Sequence, residues 1–235
     1  MMKKHLQKGL ILGMIFLAGN TFGQTEAGGA EAIKVGKMTE QTYMDLLLNV
    51  VGTNFNYGKS NSALSDYKKS VLGAQVGVSF QAGITAKLSL VSELYFIMKG
   101  GELKENNPLT AAKTTLRLYT LEFPVLARLH FGKYYLNAGP SFAYNLFGTR
   151  KTEDLSANLS FNNSSEGFKR LDAGIQIGGG YRFKVKRRNV SLDVRYTYGL
   201  TNVSNNQEIY NRYLNVSVHF SNPWKRNPLG RNKKS

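Results

Sequence analysis

Apolar residues alternate with small or polar residues along most of the chain from position 71 to position 220. In the last stretch of this pattern Leu214 and Val216 fall on one face, while Asn215 and Ser217 fall on the other. A period of two residues is typical of a β-strand whose two faces meet different surroundings. Turn residues divide the pattern into segments of about ten residues, the length that a tilted strand needs to cross a bilayer. The pattern therefore predicts β-strands that are long enough to span a membrane.

The alternation predicts eight strands, at 46–55, 71–82, 88–99, 114–131, 134–147, 168–183, 190–200 and 212–220. The phase of the fourth strand shifts near Tyr119 and Thr120, which predicts a β-bulge there. Longer polar loops fall at 57–70, 100–113, 148–167 and 201–211, and short turns lie between them. Outer-membrane barrels have short periplasmic turns and longer extracellular loops, and an even strand number returns the chain to the periplasmic side. We predict an all-β fold, an eight-stranded antiparallel up-and-down transmembrane β-barrel.

Alternation alone does not decide which face of the strands is inside. A soluble sandwich or a lipocalin-like barrel would turn its apolar face inward, and an eight-stranded barrel is filled by side chains in either case. The strand length, the loop asymmetry and the leader described next favour the membrane barrel.

Residues 1–23 are typical of a signal peptide. Lys3, Lys4 and Lys8 precede the apolar run 9–19, which is too short to span a membrane as a helix. We interpret 24–45 as a flexible periplasmic leader, 46–220 as the barrel domain and 221–235 as a basic periplasmic tail. The chain has no cysteine, which excludes lipoprotein acylation, disulfides and thiolate metal sites.

The chain is strongly basic, with 31 Lys and Arg against 15 Asp and Glu and a formal net charge of +16. Basic residues cluster at segment ends and in the tail, and neither a basic helix nor an aromatic RNA-binding signature accompanies them. Contact with anionic lipid headgroups explains this distribution better than nucleic acid does. We therefore expect outer-membrane lipid as a partner, and no nucleic acid.

Five segments in the barrel region resemble the PorT-like outer-membrane β-barrel family of Bacteroidetes. They are SELYFIMKG (92–100), YTLEFPVLA (119–127), LNAGPSF (136–142), DAGIQIGGGY (172–181) and VRYTYGL (194–200). The likeness lies in their order and spacing. It implies an eight-stranded membrane barrel in a family whose members mostly lack an assigned activity, although some act in protein secretion across the outer membrane.

Charged residues occur at inward positions of the predicted strands. A buried charge must be paired, so we expect an interior salt-bridge network that fills a narrow lumen. A catalytic carboxylate pair could be drawn from the same set, but the sequence brings no two of its members to a required distance. The set consists of Glu93, Lys99, Glu122, Arg128, Asp172, Arg182, Asp193 and Arg195.

His130 and His219 are the only histidines after the predicted signal peptide, and neither has a neighbour at a metal-ligand spacing. We therefore predict no catalytic residue, no metal and no cofactor. The predicted function is a non-enzymatic scaffold or partner-binding barrel, linked to protein secretion, with protein partners at the extracellular loops or the C-terminal tail.

Two alternatives stay open at this point. The first is an outer-membrane enzyme acting on lipid or peptide. It would need acids and a histidine at the extracellular rim, whereas both histidines map to the periplasmic end. The second is a periplasmic lipocalin-like binder of an apolar ligand.

Overall fold

A computed structural model of the chain describes residues 43–185 and 188–223. The described residues form a barrel of eight antiparallel strands. We number its strands β1 (Tyr43–Tyr57), β2 (Val71–Gly83), β3 (Leu88–Leu103), β4 (Thr114–Phe131), β5 (Tyr134–Thr152), β6 (Leu171–Val185), β7 (Arg188–Gly199) and β8 (Ile209–Pro223). The prediction of an eight-stranded antiparallel barrel is confirmed.

Each strand pairs with the next one along the chain, and the first pairs with the last. The β1–β8 ladder runs from the pair Tyr43–Pro223 to the pair Tyr57–Ile209, so the sheet closes without a free edge. A closed ladder satisfies every strand's backbone groups internally, as hydrocarbon requires. No helix in the described part of the chain is long and apolar enough to cross a bilayer.

The two ends of the barrel differ in their connections. Short turns, at 84–87 and Gly132-Lys133, lie at the end of the barrel where β1 begins and β8 ends. The other end carries longer loops, with a 3-10 helix at Lys59–Leu64 and short strands at Lys68–Lys69 and Leu155–Asn158 that pair with β3 and β5. By the usual asymmetry of outer-membrane barrels, the short turns mark the periplasmic end and the loops the extracellular end.

The outer wall of the barrel is apolar and the lumen is polar. Ile175, Leu192 and Val216 point outward and are 47%, 45% and 45% exposed, whereas Asp172 and Arg195 point inward and are 6% and 2% exposed. A soluble protein rarely exposes so continuous an apolar surface, while a membrane barrel requires it. The lipocalin-like alternative is therefore wrong, because it needs the opposite arrangement.

Most strands extend beyond their predicted bounds. At the extracellular end β3 continues to Leu103 and β5 to Thr152, because the ladder persists where the apolar alternation has already ended. The sixth strand begins at Leu171 rather than at 168. Strand structure also reaches three residues beyond each end of 46–220, into the predicted leader and tail. The predicted signal peptide (1–23), leader residues 24–42 and tail residues 224–235 lie outside the described residues.

The pairing of β4 with β5 is irregular where the sequence indicates a bulge. Tyr119 pairs with Phe147 and Thr120 with Asn145, so Leu146 is an extra residue on β5 rather than on β4. The fourth strand keeps one phase throughout, and the prediction of a shift within it is wrong. The pattern misleads because the lumen itself turns apolar at this level, so inward positions of β4 such as Leu116 and Leu118 are apolar too.

Candidate functional site

Two groups of buried charges occupy the lumen, and Arg195 is the centre of the first. Its Nη1 and Nη2 donate to the two carboxylate oxygens of Glu93 at 2.7 and 2.8 Å. Its Nε donates to Oδ1 of Asp193 at 2.6 Å. All three side chains are at most 2% exposed. The fork-to-fork geometry with Glu93 is the strongest form of ion pair that a guanidinium makes.

Arg128 extends this group across the lumen. Its Nη2 lies 3.7 Å from Oδ2 of Asp193, and its Nε donates to Oδ1 of Asn137 at 2.7 Å. The Asn137 amide donates in turn to Oδ2 of Asp193 at 2.9 Å. Nη1 of Arg128 also donates to Oε1 of Gln81 at 2.6 Å, and its Cζ lies 4.2 Å from the centre of the Tyr135 ring. The cation is thus held by β2, β5 and β7 at once.

Lys99 is the centre of the second group, nearer the extracellular end. Its Nζ lies 3.3 Å from Oε2 of Glu122 and 3.3 Å from Oδ2 of Asp172. Asp172 also accepts hydrogen bonds from Asn211 at 2.6 Å and from Thr201 at 2.7 Å. One lysine therefore joins two carboxylates whose remaining oxygens are occupied by neutral donors.

Neutral side chains complete the coordination of Glu122. Its Oε1 accepts from Ser141 at 2.5 Å, from Gln176 at 3.1 Å and from Tyr95 at 3.2 Å, and also from the hydroxyl of Tyr213. The alternation predicts Tyr95 as an inward residue and Gln176 on the same face as Asp172, but it predicts none of the four as a partner of Glu122. Their signal was their strand parity, since each occupies the inward phase of its strand.

The two groups contain seven of the eight charged residues that the sequence singled out. The eighth, Arg182, is half-buried and pairs with Ser191, one inward position nearer the periplasmic turn than Asp193. Its backbone N–H donates to the carbonyl of Lys133 at 2.7 Å. The structure thus places Arg182 at the periplasmic end of the lumen.

The two histidines also lie at the periplasmic end. Nε2 of His130 is 2.8 Å from the hydroxyl of Ser89, and Nδ1 of His219 is 3.6 Å from Oδ2 of Asp45. Within residues 43–185 and 188–223, no group of three His, Asp or Glu side chains could hold a metal ion.

Side chains fill the middle of the lumen. A cavity beside Lys99, Glu122 and Asp172 has a volume of about 10 Å³, which is close to the space of a single water molecule. An eight-stranded barrel has an interior just wide enough for its side chains, and here those side chains are cross-linked by hydrogen bonds. The described lumen is therefore a polar core rather than a pore.

Apolar side chains close the extracellular mouth. Side chains from the ends of the strands meet loop side chains there, in a cluster that includes Phe55, Leu64, Leu118, Phe168 and Val203. The loops thus cover the charged lumen with a hydrophobic layer. We call this layer and the loops 58–70, 104–113, 153–170 and 200–208 the extracellular cap.

Hydrogen bonds join the loops of the extracellular cap to one another. The carboxylate of Glu208 accepts from the backbone N–H of Ser60 at 3.0 Å and from its hydroxyl at 2.8 Å. These two bonds, the backbone one first, lower the pKa of Glu208. Between the last two loops, the backbone N–H of Lys169 donates to the carbonyl of Val203 at 2.9 Å, and the side-chain amide of Asn205 donates to the backbone carbonyl of Ser164 at 2.8 Å. The first, third and fourth loops therefore form one connected surface.

The closed ladder, the apolar outer wall and the charged lumen together define an integral β-barrel of the bacterial outer membrane. The sequence match gives the family: a model described as the outer membrane protein beta-barrel domain matches residues 44–205. The chain belongs to this family. The predicted location, the bacterial outer membrane, is confirmed.

The chain is also similar to solved outer-membrane proteins, at low sequence identity. Neisserial surface protein A is 10% identical, with 77% of this chain and 97% of that chain covered and a TM-score of 0.45. The Ail protein of Yersinia pestis, solved with the heparin analogue sucrose octasulfate, is 6% identical, with 77% and 99% covered and a TM-score of 0.41. OprG of Pseudomonas aeruginosa is 12% identical, with 79% and 95% covered and a TM-score of 0.39. No curated protein matches the chain significantly.

Proposed function

We propose that this chain is a non-enzymatic scaffold of the outer membrane that binds a protein partner through its extracellular cap. The observation that carries the proposal is the contrast between a filled lumen and a set of loops joined into one surface. Protein surfaces that are held rigid before binding lose less conformational entropy on association. The cap has this property, because its loops share hydrogen bonds and an apolar layer.

The lumen supports binding rather than catalysis as the role of this barrel. Each carboxylate of the two charge groups is engaged by a cation and by neutral donors, and none is more than 6% exposed. A general acid or base must reach its substrate at hydrogen-bond distance. Carboxylates enclosed in this way act as structural ions that fix the packing of the strands.

The resemblance to PorT-like proteins adds a second part to the proposal, a link to protein secretion across the outer membrane. Under this proposal the barrel is an anchored component of a secretion assembly and not its conduit, because the lumen is filled. The basic tail at 221–235 is a second candidate contact for a partner on the periplasmic side.

Site-specific photo-crosslinking in native cells tests the partner proposal. A photoreactive residue at Leu109, on the cap, should give a discrete protein adduct. The same residue at Val216, on the lipid-facing wall, should give none, and a third position at Lys133 reports on the periplasmic end. Adducts that form only from Lys133, or equally from Leu109 and Val216, would contradict the cap as the binding surface.

A further inference from the structure

A cavity of about 230 Å³ opens at the extracellular mouth of the barrel, within the cap. Its floor is apolar and built from strand residues: Leu103, Leu116 and Ile209 line it and are at most 7% exposed. Leu109, from the loop between β3 and β4, adds a further apolar wall. The cavity is thus separate from the charged lumen below and accessible from the extracellular side.

One cation, Arg150, lines this cavity because of the bulge on β5. Inward side chains of β5 occupy odd positions up to Asn145, and the extra residue Leu146 moves the inward phase to even positions. Without that insertion, Arg150 would face outward and Lys151 inward, because a one-residue shift exchanges the two faces of a strand. The bulge therefore directs a guanidinium into a cavity whose floor is apolar and whose rim carries the polar residues Thr110, Asn206 and Gln207.

Arg150 makes no ion pair with any carboxylate of the described residues. Two other cations at this end, Lys69 and Lys113, are paired, since they lie 3.3 and 3.5 Å from the carboxylate of Glu102. The one carboxylate that lines the same cavity, Glu166, is exposed and accepts a hydrogen bond from Asn206 at 3.1 Å. Water screens an exposed charge of this kind far more than a half-buried one.

We infer that this mouth cavity binds a small molecule with one carboxylate group and a short apolar body. A guanidinium presents paired donors that match the two oxygens of a carboxylate. The apolar floor would bury the hydrocarbon part, as in ligand pockets where a few polar groups orient a largely apolar ligand. The volume lies below the ~300–1,000 Å³ of pockets for drug-sized ligands, which sets a short chain as the limit.

Three probes with the same apolar body and different head groups test the inference: hexanoate, hexanol and hexylammonium. The protein would be placed in phospholipid nanodiscs with labelled leucine and valine methyl groups and titrated by NMR. We expect saturable shifts of the Leu103, Leu109 and Leu116 methyls with hexanoate. Hexanol should bind about tenfold more weakly, because it forgoes a charge-assisted hydrogen bond, and hexylammonium should not bind.

Two matched variants separate the site from general charge effects. Arg150→Gln should abolish the hexanoate shifts, whereas Lys151→Gln removes the same charge from the next residue on the opposite face and should leave them intact. Unchanged spectra away from the mouth establish that both variants are folded. Hexanoate shifts that survive Arg150→Gln, equal binding of hexanol, or shifts centred on lipid-facing Val216 through partition into the bilayer would each overturn the inference.

Discussion

Arg195 connects two carboxylates inside the barrel, and its burial makes this contact sensitive to substitution. The guanidinium meets Glu93 through two hydrogen bonds and Asp193 through a third. A lysine at this position would offer a point charge in place of the planar fork. The residue therefore fixes the distance between β3 and β7 across the lumen.

Arg195→Ala should lower the free energy of unfolding by about 3–5 kcal/mol, because it leaves two buried carboxylates without their main cation. Urea titration of the protein in detergent, followed by the mobility difference between folded and unfolded barrel on gels, measures the effect. Lys151→Ala, on the exposed face of β5, is the control and should change stability by less than about 0.5 kcal/mol. Equal stabilities of the two variants would mean that Arg195 is not a buried partner.

The double variant Glu93→Gln/Arg195→Gln should lose less stability than the sum of its two single variants. The double change removes one buried charge of each sign, while each single change leaves the other charge uncompensated. The same urea titration gives the stabilities of the unmodified protein, the two single variants and the double variant, which form a double-mutant cycle. Strict additivity would contradict direct coupling between the two side chains.

At the scale of elements, the most informative feature is the change of character along the lumen. Its middle is charged and its extracellular mouth is apolar, and β4 passes through both layers without changing phase. Alternation in the sequence identifies a strand only where the two faces differ in polarity. This is why Leu116 and Leu118 look out of phase in the sequence, although they are inward in the structure.

The sequence predicts the strands and the fold class well, and the site only in part. Parity along a strand indicates which charged side chains share a face. The pairing of Glu93 with Arg195, however, depends on the closure of the barrel, because these two residues are 102 positions apart in the chain. The inward orientation of Arg150 could not be predicted, because it depends on the bulge at Leu146. The sequence around Leu146 has no feature that indicates this bulge. The contacts of the neutral donors with Glu122 were not predicted, because parity gives the face of Tyr95 and Gln176 but not which residue of another strand each one meets.

The contact between the first and last loops should depend on pH. The pKa of Glu208 is lower in the folded protein than its ordinary value, so the contact stabilises the loops above that ordinary value and is lost as the pH falls through the lowered one. We expect the amide resonance of Ser60 to shift on titration from about pH 7 to about pH 3 around the carboxyl range. Glu208→Gln should remove this titration, and a Ser60 resonance that stays constant in the unmodified protein would contradict it.

At the scale of the whole molecule, the location of hydrocarbon is the central claim. Val216 lies at the middle of β8 and Leu155 lies on the extracellular hairpin, and both are exposed, at 45% and 81%. Both side chains are exposed, but Val216 lies on the outer wall of the barrel and Leu155 lies on a loop at its extracellular end. Only Val216 faces the lipid.

Val216→Arg should destabilise the barrel by about 2–4 kcal/mol, the cost of a cation near the bilayer midplane, while Leu155→Arg should cost about 0–1 kcal/mol. Unfolding and refolding in lipid vesicles, with urea as denaturant, gives both values. If the two substitutions had the same small effect, the outer wall would be facing water.

A filled lumen predicts that the protein does not conduct ions. Insertion into a planar bilayer should raise no stepwise current, because hydrogen-bonded side chains occupy the section around Lys99 and Arg195. A 16-stranded porin in the same membrane is the positive control. Resolved conductance steps from the unmodified protein would require an open path that the described lumen does not have.

The seam between β1 and β8 also bears on biogenesis. A chain that stops short of Ile209 would expose two unpaired edges, and hydrocarbon offers their N–H and C=O groups no substitute for a neighbouring strand. Insertion therefore cannot proceed strand by strand from the N-terminus. The edge of the first strand must stay unpaired until the last strand has been synthesised. A prematurely terminated chain is therefore expected to be degraded by proteases and not to form a smaller barrel.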